Sequence, residues 1–163
     1  MNFGEGATTD LLTAKGGDYP SVRQFNVFLE NRLGAMMNVV RRFEATDVRI
    51  VSLTVVDSAD CAIIRMVLSD SERAVEIFKQ ARMMYTESEL IVVKLPDSSQ
   101  PLVEICKALL SVEISIHYAY PLMLGVGFDG GTALALHVAD MEMAVQTLHE
   151  KGFTLYTESD LKY

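Results

Sequence analysis

Residues 24–30 (QFNVFLE) concentrate β-branched and aromatic side chains and read as a strand. Asn31-Arg32-Leu33-Gly34 then breaks the run as a turn. Over residues 35–45 apolar side chains return at Met36, Val39, Val40 and Phe43, the spacing of one helix face. Residues 48–56 (VRIVSLTVV) predict a second strand, Asp57-Ser58-Ala59-Asp60 a hairpin turn, and residues 61–69 a third strand. Ser71, with Glu72 in the first turn, opens a helix that runs to about Arg82. A closing strand begins at Tyr85. The order is βαββαβ.

The remaining chain repeats it. Residues 90–95 read as a strand and Pro101 as the first turn of a helix, where its fixed φ fits. Strands follow over residues 113–120 and 132–138. A helix covers residues 141–151, stopped by Gly152, and residues 153–158 close the copy. The sequence itself is duplicated. Residues 61–70 (CAIIRMVLSD) align with residues 131–140 (GTALALHVAD), and Tyr85-Thr86-Glu87-Ser88-Glu89 with Tyr156-Thr157-Glu158-Ser159-Asp160. A period this long suits a small domain rather than a solenoid unit. We therefore expect an α+β chain with a flexible arm over residues 1–21 and two modules, 22–89 and 90–163, set side by side without a linker.

Right-handed crossovers make each module a four-stranded antiparallel sheet with both helices on one face. With Ile64, Met66 and Leu68 facing the helices, Ile63, Arg65 and Val67 fall on the open face. Simple alternation adds Val51, Leu53 and Val55 to it. An apolar open face seldom stays in water, which points to a homodimer through the open sheet faces.

Composition narrows the partners. The chain has 163 residues, half of them hydrophobic, and a formal charge of -8. So acidic a chain repels nucleic acid and anionic membrane, and neither is an expected partner. No apolar run reaches membrane-spanning length, and the first residues lack the features of a signal peptide, so cytoplasm is the expected compartment. Cys61 and Cys106 lack a paired spacing and read as buried, reduced core residues. Met36-Met37 and Met83-Met84 read as adaptable core filling.

Chemistry excludes several βαββαβ families. Residues 61–69 lack the aromatics with which RNA-recognition modules stack bases. A metal carrier's CxxC pair is absent, and residues 31–34 are not an acylphosphatase's anion-cradling loop. The carboxylates are dispersed and no Ser/His/Asp or Cys/His set is present, so no catalytic residue, cofactor or enzymatic activity is expected. What residues 31–34 do offer is a glycine at a helix entrance. Glycine permits close backbone approach, free helix N–H groups attract a carboxylate, and the Asn31 amide both donates and accepts. The alternative is an ordinary tight turn.

Three further observations carry a resemblance. Residues 29–35 (LENRLGA), Phe43 and residues 50–55 (IVSLTV) stand in an order that resembles the amino-acid-binding ACT domain, a ferredoxin-like module. The closest pattern is that of the regulatory small subunit of acetolactate synthase, which Arg65-Met66 also fits. The likeness covers about residues 24–90, and the internal repeat extends it to about residue 161. It departs from the family in three places. Leu33 stands where proline usually precedes the glycine, Arg49 lies near an expected asparagine, and Gln100 replaces the second module's loop glycine.

The resemblance implies ligand held between the βα loop of one module and the second strand of the other. Asn31, Arg32, Leu33, Gly34 and Ala35 would then face the strand around Ile116, and Ser98, Ser99 and Gln100 would face Ile50 and Ser52. The implied ligand is a free amino acid or related small carboxylate, and the implied partner a biosynthetic enzyme. The histidines add little. A hairpin centred near Gly127 makes His117 and His137 cross-strand partners on the open face, too few for a metal site. His149 reads as solvated, Tyr118 and Tyr120 as helix-facing core, and the two Tyr-Thr-Glu-Ser runs as strand starts.

Overall fold

The computed structural model describes residues 19–124 and 132–162. The expected arm over residues 1–21, with Leu11-Leu12, lies almost wholly outside them. The strands are β1 (Val22–Glu30), β2 (Ile50–Asp57), β3 (Cys61–Leu68), β4 (Tyr85–Lys94), β5 (Ile116–Leu122), β6 (Ala133–Val138) and β7 (Leu155–Tyr156). The helices are α1 (Ala35–Val40), α2 (Ser71–Gln80), α3 (Pro101–Leu110) and α4 (Met141–Glu150). The chain divides into two compact units. The first module is Arg23–Ser88 with residues 161–162. The second is Glu89–Asp160 with residues 19–22. The boundary falls inside β4, whose first half serves one module and second half the other.

Strand order in the first module is β2-β3-β1-β4 and in the second β5-β6-β4-β7, the same arrangement twice. In the first, Phe25, Val27, Ile64, Met66 and Leu68 of the sheet pack with Val39, Phe43, Ala74, Ile77 and Phe78 of the helical layer. In the second, Ile91, Val93, Leu136 and Val138 pack with Ile105, Ala108, Leu109, Ala144, Val145 and Leu148. Both helices of each module therefore cover one sheet face.

Local signals are duplicated as well. Asp70 caps α2 by accepting from the Arg73 N–H at 3.1 Å, and Asp140 caps α4 by accepting from the Met143 N–H at 3.0 Å. The cap is Asp70, not Ser71, which lies one residue inside the helix. At the other ends Arg82 and Gly152 adopt positive φ, 52° and 82°. There the N–H groups of Met83 and Phe153 close six-residue loops onto the carbonyls of Phe78 and Leu148.

Two corrections to the faces share one cause. The β2–β3 register skips a residue between Ile50 and Ser52, and the β5–β6 register skips one between Ile116 and Tyr118. Each bulge adds one residue to the outer strand and reverses its alternation. Leu53 therefore lies opposite Met66 and Val55 opposite Ile64, on the helix face, while Ser52 and Thr54 take the open face. Likewise Tyr118 lies opposite His137 and Tyr120 opposite Ala135, on the open face rather than in the helix-side core.

The first module's open face is thus polar at its centre. Gln24 Nε2 donates to Asn26 Oδ1 (2.7 Å) and Ser88 Oγ (2.9 Å), and Asn26 Nδ2 to Ser88 Oγ (3.2 Å) and Thr86 Oγ1 (3.3 Å). Asn26 pairs in register with Arg65 and Arg65 with Thr54. Apolar residues gather at one end, where Phe28, Ile63 and Val56 align.

The repeated pentapeptide also diverges. Tyr85-Thr86-Glu87-Ser88-Glu89 lies within β4. Tyr156 ends β7 instead, and the chain turns into a short 3-10 helix over Glu158–Leu161. Asp160 accepts from the Thr157 N–H (2.6 Å) and hydroxyl (3.0 Å), closing that turn. Its counterpart Glu89, one methylene longer, reaches away to accept from Tyr19 (3.1 Å) and Ser21 (3.3 Å). Burial, followed by that hydrogen bond and charge, pushes the Tyr19 phenol above its usual value.

Candidate functional site

The loop after β1 is shaped by Gly34, whose left-handed backbone (φ 81, ψ 0) sits at the entrance of α1. The Arg32 N–H donates to the Glu30 carbonyl (2.9 Å), the Ala35 N–H to that of Arg32 (3.2 Å) and the Asn38 N–H to that of Gly34 (3.1 Å). A Cβ built on Gly34 meets nothing within 4 Å. What requires glycine there is therefore φ and not a crowded neighbour. Asn31 turns toward the β2–β3 hairpin, where its Nδ2 donates to Asp57 Oδ1 (2.8 Å) and to the Ser58 carbonyl (3.2 Å). Its amide fixes the loop to the hairpin. Leu33 is fully exposed.

Beside this loop lies a crevice of about 590 Å³. Arg32 and Ala35 of the predicted residues line it, with Glu30, Asn38, Arg42, Asp60 and Arg82 as polar lining and Phe28, Cys61, Met83 and Met84 as apolar lining. Three guanidinium groups, two carboxylates and an amide thus border a partly apolar space. Such a space suits a small molecule carrying a carboxylate and a second polar group. The glycine at the helix entrance points to the loop, but nothing in the sequence points to Ala81, Arg82, Met83 and Met84, the turn between α2 and β4, as part of the same crevice.

The second module has a crevice in the same place, about 350 Å³ in volume. Lys151, Gly152, Phe153 and Thr154 line it where Ala81, Arg82, Met83 and Met84 line the first. Lys94, Leu95, Pro96, Asp97 and Glu104 complete it. Ser98, Ser99 and Gln100 do not line it; they form an exposed turn in which the Ser98 N–H donates to the Pro96 carbonyl (2.9 Å). Gln100 precedes α3 with φ -140, away from the left-handed region that Gly34 occupies.

The other predicted residues lie elsewhere in their own modules. Ile50 lines a different crevice, Ser52 is buried on the open face, and Ile116 packs against the second core opposite Val138. His117 and His137 bring their Nδ1 atoms to 3.1 Å, although the residue in register with His137 is Tyr118, whose ring stacks on it at 4.8 Å. One facing nitrogen must carry the hydrogen and the other accept it. Among the described residues no group of three or more His, Cys, Asp or Glu is placed to hold a metal ion. Neither cysteine is deeply buried: Cys61 is half-buried and Cys106 faces outward on α3. Met36, Met37 and Met84 are exposed as well, so of the two methionine pairs only Met83 packs against a core.

A family model described as an ACT domain pair matches residues 20–161. The chain belongs to the ACT domain pair family. The match spans both modules and the repeat that joins them. Among solved structures, protein BT0572 from Bacteroides thetaiotaomicron matches this ACT pair with a TM-score of 0.77 at 21% identity, over 86% of this chain and 95% of that one. The ligand-free regulatory subunit of aspartate kinase from Thermus thermophilus matches with a TM-score of 0.53 at 10% identity, over 80% and 91%. At these identities the likeness is one of fold. No curated protein matches the chain. No helix among the described residues is long and apolar enough to cross a membrane.

Proposed function

We propose that this ACT pair is a non-enzymatic, cytoplasmic regulatory protein that binds a free amino acid or related small carboxylate. The observation that carries the reading is the crevice beside the Gly34 loop in a chain of this family. Arg32 and Arg42 there suit a carboxylate, and Glu30 and Asp60 suit an ammonium group. The part assigned to Ile50, Ser52, Ser98, Ser99, Gln100 and Ile116 rests on the family resemblance alone. Occupancy would act by favouring one of two arrangements of the protein, since equal affinity for both shifts nothing. Self-association through the open sheet faces would use the Phe28, Ile63 and Val56 end, where the face is apolar. Thermal-shift screening of the free amino acids tests the reading, with a rise in midpoint for at least one of them as the supporting result. Silence across the panel, with folded protein, would refute ligand sensing by the isolated chain.

A second reading is an obligate regulatory subunit of a biosynthetic enzyme, acetolactate synthase or a similar one. A fold shared with an aspartate kinase regulatory subunit favours it. Co-purification separates the two readings: a stoichiometric catalytic chain supports the subunit, and a self-contained protein supports the sensor.

A further inference from the structure

At the other end of α1 from the Gly34 loop lies a second crevice of about 510 Å³, lined by Met37, Val40, Phe43, Val48 and Ile50 with Arg41, Glu44 and Arg49. Its cause is local. The α-helix stops at Val40 and the chain tightens into a 3-10 turn over Arg41–Phe43. The turn is then locked. The Thr46 N–H and hydroxyl both donate to the Phe43 carbonyl, at 3.1 and 2.9 Å, and the Val48 N–H donates back to Thr46 Oγ1 at 3.2 Å. Across the gap, Arg49 and Ser69 hold the entry of β2 by paired hydrogen bonds: the Arg49 N–H donates to Ser69 Oγ (2.8 Å) and the Ser69 N–H to the Arg49 carbonyl (3.0 Å). Both walls are therefore set by hydrogen bonds between backbone and the Thr46 and Ser69 hydroxyls, and β2 is the outer strand of its module.

In the second module α3 runs unbroken to Leu110, Lys107 stands where Arg41 stands in the first, and Leu110 and Ser115 stand where Glu44 and Arg49 stand, so those positions offer an ammonium but no guanidinium.

We propose that this crevice binds an apolar-bodied monocarboxylate, such as a medium-chain aliphatic acid, at a site separate from the Gly34 loop. Five apolar side chains supply the floor, and at the border the exposed Arg41 guanidinium stands beside Glu44 and Arg49, whose Nη2 also donates to the Leu161 carbonyl (3.5 Å). A planar guanidinium matches a carboxylate in geometry as well as charge, and it binds a cationic head group of the same body poorly. The volume is within the range of small-molecule sites.

Isothermal titration of the full chain with octanoate, octylammonium and octanol tests this. Octanoate should bind saturably, one per chain, and octylammonium at least about tenfold more weakly. Arg41→Glu, at an exposed position, should weaken octanoate at least about tenfold while leaving octanol unchanged. Lys107→Glu, the equivalent change in the second module, should leave octanoate binding unaltered. Non-saturable uptake, equal binding of octylammonium, or insensitivity to Arg41→Glu in folded protein overturns the proposal. Gly34 does not line this crevice and Arg41 does not line the one beside the Gly34 loop, so octanoate binding and amino-acid binding are read on separate residues and failure of one is distinguishable from failure of the other.

Discussion

Gly34 and Gln100 occupy the same position in the two modules, at the entrance of α1 and α3, and adopt opposite backbone conformations: φ is 81 at the first and -140 at the second. Around them much is duplicated, including the aspartate caps of α2 and α4, the bulges in the outer strands and a crevice beside each first helix. The difference teaches that the frame and its mouths answer to different residues. Caps, core and bulges fix the frame. The loop residues decide what each mouth can hold, and they differ between copies.

The largest break in the comparison should come from the cores. Phe78 touches the rings of Phe25, Phe43 and Tyr85 with centroids 5.2, 5.6 and 5.1 Å away, whereas Leu148 fills the matching place in a cluster whose buried members are all aliphatic, with Tyr19 and Phe153 packed at its margin. Phe78→Ala should cost about 3–5 kcal/mol and Leu148→Ala about 2–5 kcal/mol in denaturant melts. A loss under about 1 kcal/mol for Phe78→Ala would mean that the aromatic cluster does not organise the first module.

The loops come next. Gly34→Ala should destabilise by about 1–2 kcal/mol because an L-residue is strained at that φ. Gln100→Ala should change stability by less than about 0.5 kcal/mol, since its side chain makes no cap hydrogen bond. Equal effects would erase the distinction between the loops.

Helix ends offer a gain. Arg82 holds the left-handed position that glycine holds at Gly152. Arg82→Gly should therefore stabilise by up to about 1 kcal/mol in thermal melts, and a clear loss would show that the Arg82 side chain contributes more than its strain costs. The smallest effect concerns Tyr19. Its folded-state pKa is raised, by burial first and Glu89 second, so its contribution is complete below the unfolded value of 10.0 and is lost as pH rises through the folded value. Tyr19→Phe should flatten the loss of stability above pH 10.0, measured by melts across that range. An unchanged slope would remove Tyr19 from the alkaline transition.

Most elements were legible because their signals are local: apolar spacing at Met36, Val39, Val40 and Phe43, the turn at residues 57–60, and Gly152 after a helix. The faces of β2 and β5 were not. A bulge inserts one residue without any marker in residue type, so Leu53, Val55, Tyr118 and Tyr120 were assigned to the wrong sides. The loop at residues 31–35 was legible as a candidate through its glycine. Its crevice was not, because Asp60, Arg82, Met83 and Met84 arrive from distant parts of the chain. Nor does sequence show that pentapeptides differing only in the final carboxylate form a strand in one copy and a turn in the other. That depends on whether the final carboxylate, Glu89 or Asp160, finds partners outside its own segment.

The claim that unlike mouths were built on like frames is tested most directly by calorimetric titration of the free amino acids into the full chain, its Gly34→Val variant and its Gln100→Val variant. A β-branched residue is strongly disfavoured at positive φ, so Gly34→Val reshapes the first loop alone. The account predicts saturable binding of at least one amino acid, its loss in folded Gly34→Val, and its retention in Gln100→Val. Equal affinity in all three proteins would contradict it.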